Sequence, residues 1–341
     1  MKRRFPAEWE PQDAVLLGWP HGQTDWADML DLVLPVFIRI AKEISRFENV
    51  LIPSPDPAAV HSLLMEAGAN MDRVKIHTVL TNDIWARDFG PITVFQNGSP
   101  LLLDYGFNGW GLKFSACYDN QVTSRLRSAG AFGNCNCELP GLVLEGGSLE
   151  SDGKGTLLTT SSCLLEANRN PHLSRSELEH QLKQQVGADH ILWLEHGYLA
   201  GDDTDSHIDT LARLAPGDHI IFQACDDQQD EHYRELTAMA EELAALRTRN
   251  GQPYTLLPLP WPDGCYAEDG HRLPATYANF LIINGAVLVP VYNCPQDESA
   301  LAVISSAFRD REIIAVPCRP LIEQHGSLHC VTMQLPQGVL S

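Results

Sequence analysis

Residues Leu30–Phe47 place apolar side chains at helical spacing, and the short apolar run 50–52 that follows is stopped by Pro53 and Pro55. The pattern predicts a helix and then a strand. Positions 57–67 predict a short helix and 74–79 another strand. Residues 92–95 and 101–103 flank Asn97-Gly98, the strongest short-range hairpin signal. Further hairpins are predicted over 149–158 around Asp152-Gly153, over 210–222 around Pro216-Gly217-Asp218, and over 280–289 around Asn284-Gly285. Residues 328–334 read as the start of a fifth. The clearest helices beyond the first are 174–186, 231–247 and 298–308.

These elements recur in one order: strand, polar loop, hairpin, helix. The unit returns about five times, roughly every 60 residues. A fixed period argues for repeated supersecondary units set around an axis, and so for a single domain over 1–341 rather than two independent ones.

The 341 residues are 44% hydrophobic and 20% charged, which supports a sizeable core and excludes wholesale disorder. Forty-four acidic against 24 basic side chains give a net charge of -20. Such a balance argues against nucleic acid as a partner, because phosphate binding needs a basic face. It admits a cationic ligand, although an acid excess is also an ordinary solubility device. The basic start Lys2-Arg3-Arg4 meets Glu8, Glu10 and Asp13 before any hydrophobic signal stretch, and no apolar run reaches the ~20 residues that cross a bilayer. Nine scattered cysteines then read as free thiols, and the expectation is a cytoplasmic protein with no membrane partner.

The chemically distinctive residues sit in the loops just before the hairpins. The first loop carries Trp85-Ala86-Arg87-Asp88 and the second Leu144-Glu145-Gly146-Gly147. The third carries Gly201-Asp202-Asp203-Thr204-Asp205-Ser206-His207-Ile208-Asp209, and the last His325-Gly326-Ser327-Leu328-His329-Cys330. In a repeat fold with a central axis, equivalent loops converge, so Asp88, Glu145, His207, Asp209 and Cys330 would meet in one pocket. Carboxylates grip a planar guanidinium bidentately, and Asp88 and Asp209 are candidates for that grip. A cysteine thiolate suits attack on the central carbon, and a bound guanidinium would favour its ionised form. His207 would then donate and accept the protons, with Glu145 holding its orientation. Each residue alone has an ordinary reading: a hydrogen-bonded His-x-Asp on a strand, a Glu-Gly-Gly turn, a surface ion pair, a buried strand cysteine. Their matched placement before successive hairpins sets them apart.

Taken in order, Trp85 to Pro91, Leu144 to Gly147, Asn168 to Leu173, His207-Ile208-Asp209, Asn279-Phe280, Val289-Pro290 and His329-Cys330-Val331-Thr332 resemble the agmatine deiminases. These are a branch of the guanidine-modifying enzymes related to bacterial-type peptidylarginine deiminase. The resemblance runs from about Glu8 to Pro336. It implies a five-bladed pseudo-symmetric α/β propeller (the pentein fold), no metal or organic cofactor, and conversion of a guanidine to a urea and ammonia through a thiouronium on cysteine. It implies Cys330 as nucleophile, His207 as acid/base, Glu145 as its partner, and Asp88 and Asp209 as guanidinium clamps. Two departures stand out: His325-Gly326-Ser327-Leu328 replaces a glycine run with asparagine before the His-Cys pair, and Thr210 replaces asparagine after His-x-Asp.

Agmatine has an amine tail, so its distal end calls for carboxylates or aromatic faces. Asp202 and Asp203, in an acidic loop without arginine or lysine, and Trp85 and Trp110 are the expected tail contacts. The expected product is N-carbamoylputrescine, which would place the chain in polyamine biosynthesis, and a homodimer is the assembly carried with it. The alternatives are deimination of peptidylarginine or free arginine by the same residues, amidino transfer to an amine, or metal or redox binding through Cys135-Asn136-Cys137 and His325, His329 and Cys330. The two cysteines, one residue apart, lack the wider spacing and the paired second knuckle of a structural zinc site.

Overall fold

Asn97 and Gly98 both take positive φ, 53° and 90°, the geometry of the tight turn whose twist matches that of two antiparallel strands. They join Ile92–Gln96 to Ser99–Leu103 in register from Ile92↔Leu103 to Gln96↔Ser99. The helix Val122–Ser128 follows, and Asn136–Glu138 then lies parallel to the second strand. The computed structural model, which describes residues 2–340, repeats this connectivity in three further sheets and varies it in a fifth.

In the second sheet Glu150–Ser151 pairs with Thr156–Thr160, helix Arg175–Gln185 crosses over, and His190–Leu194 runs parallel. The third uses Ala212–Ala215, His219–Gln223, helix Tyr233–Ala245 and Thr255–Leu259. The fourth uses Leu281–Ile283, Ala286–Val291, helix Asp297–Ala307 and Glu312–Pro317. Parallel neighbours need such crossovers, and the helix in each covers apolar strand surface. Arg3–Arg4 adds an antiparallel edge to the first sheet, and Cys265–Tyr266 with Arg272–Leu273 form a small separate pair.

The fifth sheet departs from the sequence expectation. Residues 328–334 do not open a hairpin of their own. Thr332–Pro336 pairs antiparallel with Gln12–Leu17, from Thr332↔Leu17 onward, so the two ends of the chain supply what a hairpin supplies elsewhere. Helix Leu30–Phe47 then leads to Asn49–Ser54, and helix Pro57–Glu66 to Val74–Thr78, both strands parallel to their predecessors. The long helix buries Val33, Phe37, Ile40 and Ile44 on the stripe that its spacing predicts.

One large apolar core runs through the sheets from Ala14 to Val339, with a smaller cluster around Ile208, Leu211, Ile220 and Met239. The inner strands carry unbroken buried runs, such as Ala14 to Leu17 and Leu281 to Ile283, rather than alternating ones, as strands covered on both faces do. No helix among the described residues is long and apolar enough to cross a membrane.

Candidate active site

The candidate residues stand on tight turns that enter the first strand of each sheet. Asp88 lies on the single turn Ala86–Phe89 before Ile92–Gln96, and Glu145 leads into Gly146–Ser148 before Glu150–Ser151. His207 and Asp209 are not on a strand: they belong to the turn Ile208–Thr210, closed where Thr210 N and its hydroxyl donate to His207 O. His329 and Cys330 sit on a turn closed by Thr332 N donating to His329 O at 3.1 Å. Asn279 holds the corresponding place before Leu281–Ile283.

These turns meet. His207 Nδ1 is 3.5 Å from Asp88 Oδ1, and its Nε2 is 3.8 Å from Glu145 Oε2. Cys330 Sγ lies 4.0 Å from Asp209 Oδ2 and 3.4 Å from Asn279 Oδ1. Asn279 Oδ1 also accepts from His329 N at 2.9 Å, and its Nδ2 donates to Asp209 O at 3.3 Å. Gly147 N donates to Asp88 Oδ1 at 3.1 Å, and Trp110 Nε1 donates to Oδ2 at 2.9 Å. A side chain at Gly147 would put its Cβ 2.5 Å from His207 Nδ1 and 2.8 Å from Asp88 Oδ1. The Glu-Gly-Gly motif therefore needs glycine for close approach.

All five groups are buried, and burial acts strongly on each, but neighbouring charges set the direction for three of them. It pushes the Asp88 carboxyl up to about 6, with Asp209 and Glu145 adding to the rise and the His207 and Trp110 ring groups opposing it. Burial also works to raise Glu145, but His207 and Arg169 outweigh it and hold that carboxyl below its usual range. Asp209 is likewise held low against burial, by His329 first and then His207 and Arg213. Burial would lower His207, yet the Asp88 carboxylate leads the neighbours that raise it well above 6.5. Neither of its ring nitrogens has a hydrogen-bond partner. Burial and then the Asp209 and Asp88 charges push the Cys330 thiol well up. A cation set between those two carboxylates would cancel their share of that push.

The pocket above Cys330 has a volume of about 130 Å³. Trp85, Trp110 and Phe114 wall it, Asp88 and Cys330 lie at its base, and Asp25, Asp83 and Asp203 add carboxylates. Among the described residues no arginine or lysine lines it. Trp85 is fixed by its Nε1 donating to Asp83 Oδ2 at 2.9 Å, and Asp83 also accepts from Trp26 Nε1. Trp110 adopts φ +54° between Gly109 and Gly111, both also at positive φ, an unfavourable backbone held where the indole reaches Asp88.

The acidic loop divides. Asp203 lines the pocket, with Oδ2 3.9 Å from His325 Nε2. Asp202, expected beside it, turns back on its own loop: Oδ1 accepts from Thr204 N and its hydroxyl, and Oδ2 from Ser206 N at 2.7 Å. Such an Asx turn uses the carboxylate locally, and Asp202 is not among the pocket-lining residues. Asp205 is engaged by Arg169 and Lys113, each at 2.7 Å, so distant cations serve a loop that has none of its own.

Sequence reasoning assigned no role to Arg169, Asn279, Glu8 or Asp25. Arg169 Nε donates to both Glu145 oxygens at 3.0 and 2.9 Å. Its place in Asn168-Arg169-Asn170 was the one available signal. Cys163, also unassigned, brings sulfur within 4.8 Å of the ligating atoms of His207 and Glu145. A divalent ion there would press against the Arg169 guanidinium, and burial keeps the Cys163 thiol protonated. The trio suits proton exchange better than metal binding.

Fold and site together define an α/β protein with a buried thiol at the base of an acidic, aromatic-walled pocket and a buried imidazole between Asp88 and Glu145. The model of the Porphyromonas-type peptidyl-arginine deiminase family matches residues 4–336, and the chain belongs to that family. It is 32% identical over 355 residues to the agmatine deiminase of Stutzerimonas stutzeri, covering 97% of this chain and 95% of that one. Among solved structures, a protein from Porphyromonas gingivalis with a provisional assignment as an arginine deiminase superposes with a TM-score of 0.94 at 52% identity, covering 99% of each chain. The C. jejuni agmatine deiminase, as a cysteine-to-serine variant with substrate bound, superposes with a TM-score of 0.91 at 38% identity, covering 99% of this chain and 97% of that one.

Proposed function

We propose that this chain is an agmatine deiminase, a hydrolase of the carbon–nitrogen bond in a linear amidine. The observation that carries the reading is the pocket itself: Cys330 lies at its base beside Asp88 and Asp209, under walls that bear carboxylates and indoles but, among the described residues, no guanidinium or ammonium group. Asp88 and Asp209 grip the guanidinium fork and aim its carbon at Cys330 Sγ. The bound cation offsets the carboxylates that hold the thiol protonated, so substrate binding itself favours the thiolate. Sulfur attacks the central carbon, the carbon–nitrogen bond to an amino group breaks, and protonated His207 donates to that nitrogen as ammonia leaves. The thiouronium on Cys330 is then attacked by water, whose proton returns to His207. The carbon–sulfur bond breaks, N-carbamoylputrescine departs and Cys330 is restored. Glu145, steadied by Arg169, keeps the imidazole oriented and stabilises its cationic form.

Trp85 and Trp110 form the walls along the substrate's aliphatic arm, and Asp203 with Asp25 receives its ammonium. The α-carboxylate of free arginine would meet those same acids with no cation to answer them, which favours agmatine over arginine. Four sheets of one connectivity and a fifth closed by the two chain ends, each delivering a turn to one site, support a single domain over 1–341 arranged as a five-bladed propeller. Ammonia release measured on agmatine, arginine and an arginine peptide tests the reading. Agmatine should be turned over fastest, with Cys330→Ser inactive and a covalent adduct on Cys330 visible by intact mass in the unsubstituted enzyme. Full turnover by Cys330→Ser would sink the mechanism, and preference for arginine would overturn the substrate.

A further inference from the structure

His329, the residue before Cys330, points away from the pocket into a buried charge cluster. Its Nδ1 is 2.7 Å from Asp209 Oδ2 and its Nε2 is 2.7 Å from Glu8 Oε2. An ionised carboxylate only accepts, so Nδ1 donates to Asp209, while Nε2 sits between Glu8 Oε2 and the Arg213 Nη2 group 3.1 Å away. Glu8 comes from the opposite end of the chain, 321 positions away. Its second oxygen accepts from Ile282 N at 2.7 Å, and Arg213 Nη2 donates to Oε2 at 2.8 Å. Arg87 Nη2 stands 3.8 Å off. Arg213 is fully buried and is held in turn by Glu150 and by the carbonyls of Ala278 and Phe280. Glu8 therefore has little freedom to move.

The consequence falls on Asp209. Its Oδ2 is committed to His329, while Oδ1 is buried with no hydrogen-bond partner. A buried carboxylate oxygen left without a donor is costly. It is well placed to accept from a ligand N–H beside Cys330.

We propose that Glu8 is a positioning residue for the deimination: through His329 it locks Asp209 with Oδ2 occupied and Oδ1 presented to the guanidinium. The inference rests on the reading of Asp209 as a clamp. A gripping contact held alike in the bound and reacting states acts on KM more than on kcat. Replacing Glu8 by glutamine keeps the shape but puts an amide in place of the charge. His329 then loses its ionic anchor, and Asp209 its fixed partner.

In the active enzyme, Glu8→Gln should raise KM for agmatine about tenfold while kcat stays within about threefold. In the Cys330→Ser background, where turnover does not intrude, calorimetry should show agmatine binding weakened by a similar factor. Glu8→Asp, which keeps the charge, should recover part of the loss. His329→Asn retains a donor toward Asp209 but cannot reach Glu8, and it should reproduce the Glu8→Gln defect. The double variant should be no worse than either single one, because both break the same chain of contacts. A merely structural Glu8 would lower the melting temperature and leave KM and binding of the folded protein unchanged, and that result overturns the proposal. So would additive losses in the double variant. Should Glu8→Gln fail to fold, His329→Asn with normal KM overturns it alone. Absence of agmatine turnover in the unsubstituted enzyme would instead count against the proposed function.

Discussion

Asp88 holds two positions in the site's electrostatics at once. Burial pushes its carboxyl up to about 6, while the Trp110 N–H and His207 work to keep it ionised. If Asp88 clamps the guanidinium as proposed, it must be charged to do so, and activity should be lost as pH falls through that value and regained above it. The profile of kcat/KM, which reports groups on the free enzyme, should show an acid limb centred near pH 6. Trp110→Phe removes a donor that favours the ionised form, so the limb should move to higher pH. A flat profile from about pH 5 to 7, or a limb unmoved in Trp110→Phe, would contradict this account. Gly147 belongs to the same argument, because its backbone N–H is a further donor to Asp88 and a side chain there has no room.

At the scale of elements, the turns proposed to carry catalysis depend on what packs behind them. Gly326 lies under the Trp85 ring, and a Cβ there would fall 2.1 Å from a ring carbon. Trp85 cannot withdraw, since Asp83 fixes its Nε1 and Trp26 packs 6.0 Å away. Gly326→Ala should therefore tilt the pocket wall, raising KM about tenfold and altering tryptophan fluorescence. An unchanged KM would show that the wall is not sensitive to that contact. The same element explains what the amino-acid order could disclose. Hairpins with Asn-Gly, Asp-Gly or Pro-Gly-Asp turns carry their geometry locally, and the loops before three of them, with the loop that carries Cys330, were legible. The fifth pairing was not, because Thr332–Pro336 finds its partner at Gln12–Leu17 only through folding. Asn279, Arg169 and Glu8 act through contacts tens to hundreds of residues away, which no spacing rule reaches. Asp202 and Asp203 are adjacent and alike as letters. Only the Asp-x-Thr pattern of 202–204 hinted that the first carboxylate would turn back onto its own loop.

Across the whole molecule the buried acids set the pH response of stability. Asp83, Asp88 and Asp104 are raised to about 6, and Glu48 and Asp119 to about 7, each chiefly by burial. Between roughly pH 4 and 7 the folded chain keeps protons that the unfolded chain has released, so stability falls as pH rises through that window. His207, raised in the fold, also loses its contribution as pH rises. Glu145 and Asp209, held low, add stability above the ordinary carboxylate range and lose it only in stronger acid. His21, His77 and His232, lowered chiefly by burial, act in the opposite sense near pH 6. The five raised acids and the overall charge of -20 outweigh these three. Thermal unfolding should therefore occur a few degrees lower at about pH 8 than at about pH 5.5, and a higher midpoint at the alkaline end would refute the assignment. The clasp between Thr332–Pro336 and Gln12–Leu17 also has a meaning in time. During synthesis the first strand of the fifth sheet is made early and waits, while Asp88, Glu145, His207 and Asp209 emerge in turn. Cys330 arrives after all of them, on the segment that closes the sheet. A growing chain thus lacks the proposed nucleophile, and the proposed centre is completed in the same event that pairs Thr332–Pro336 with Gln12–Leu17.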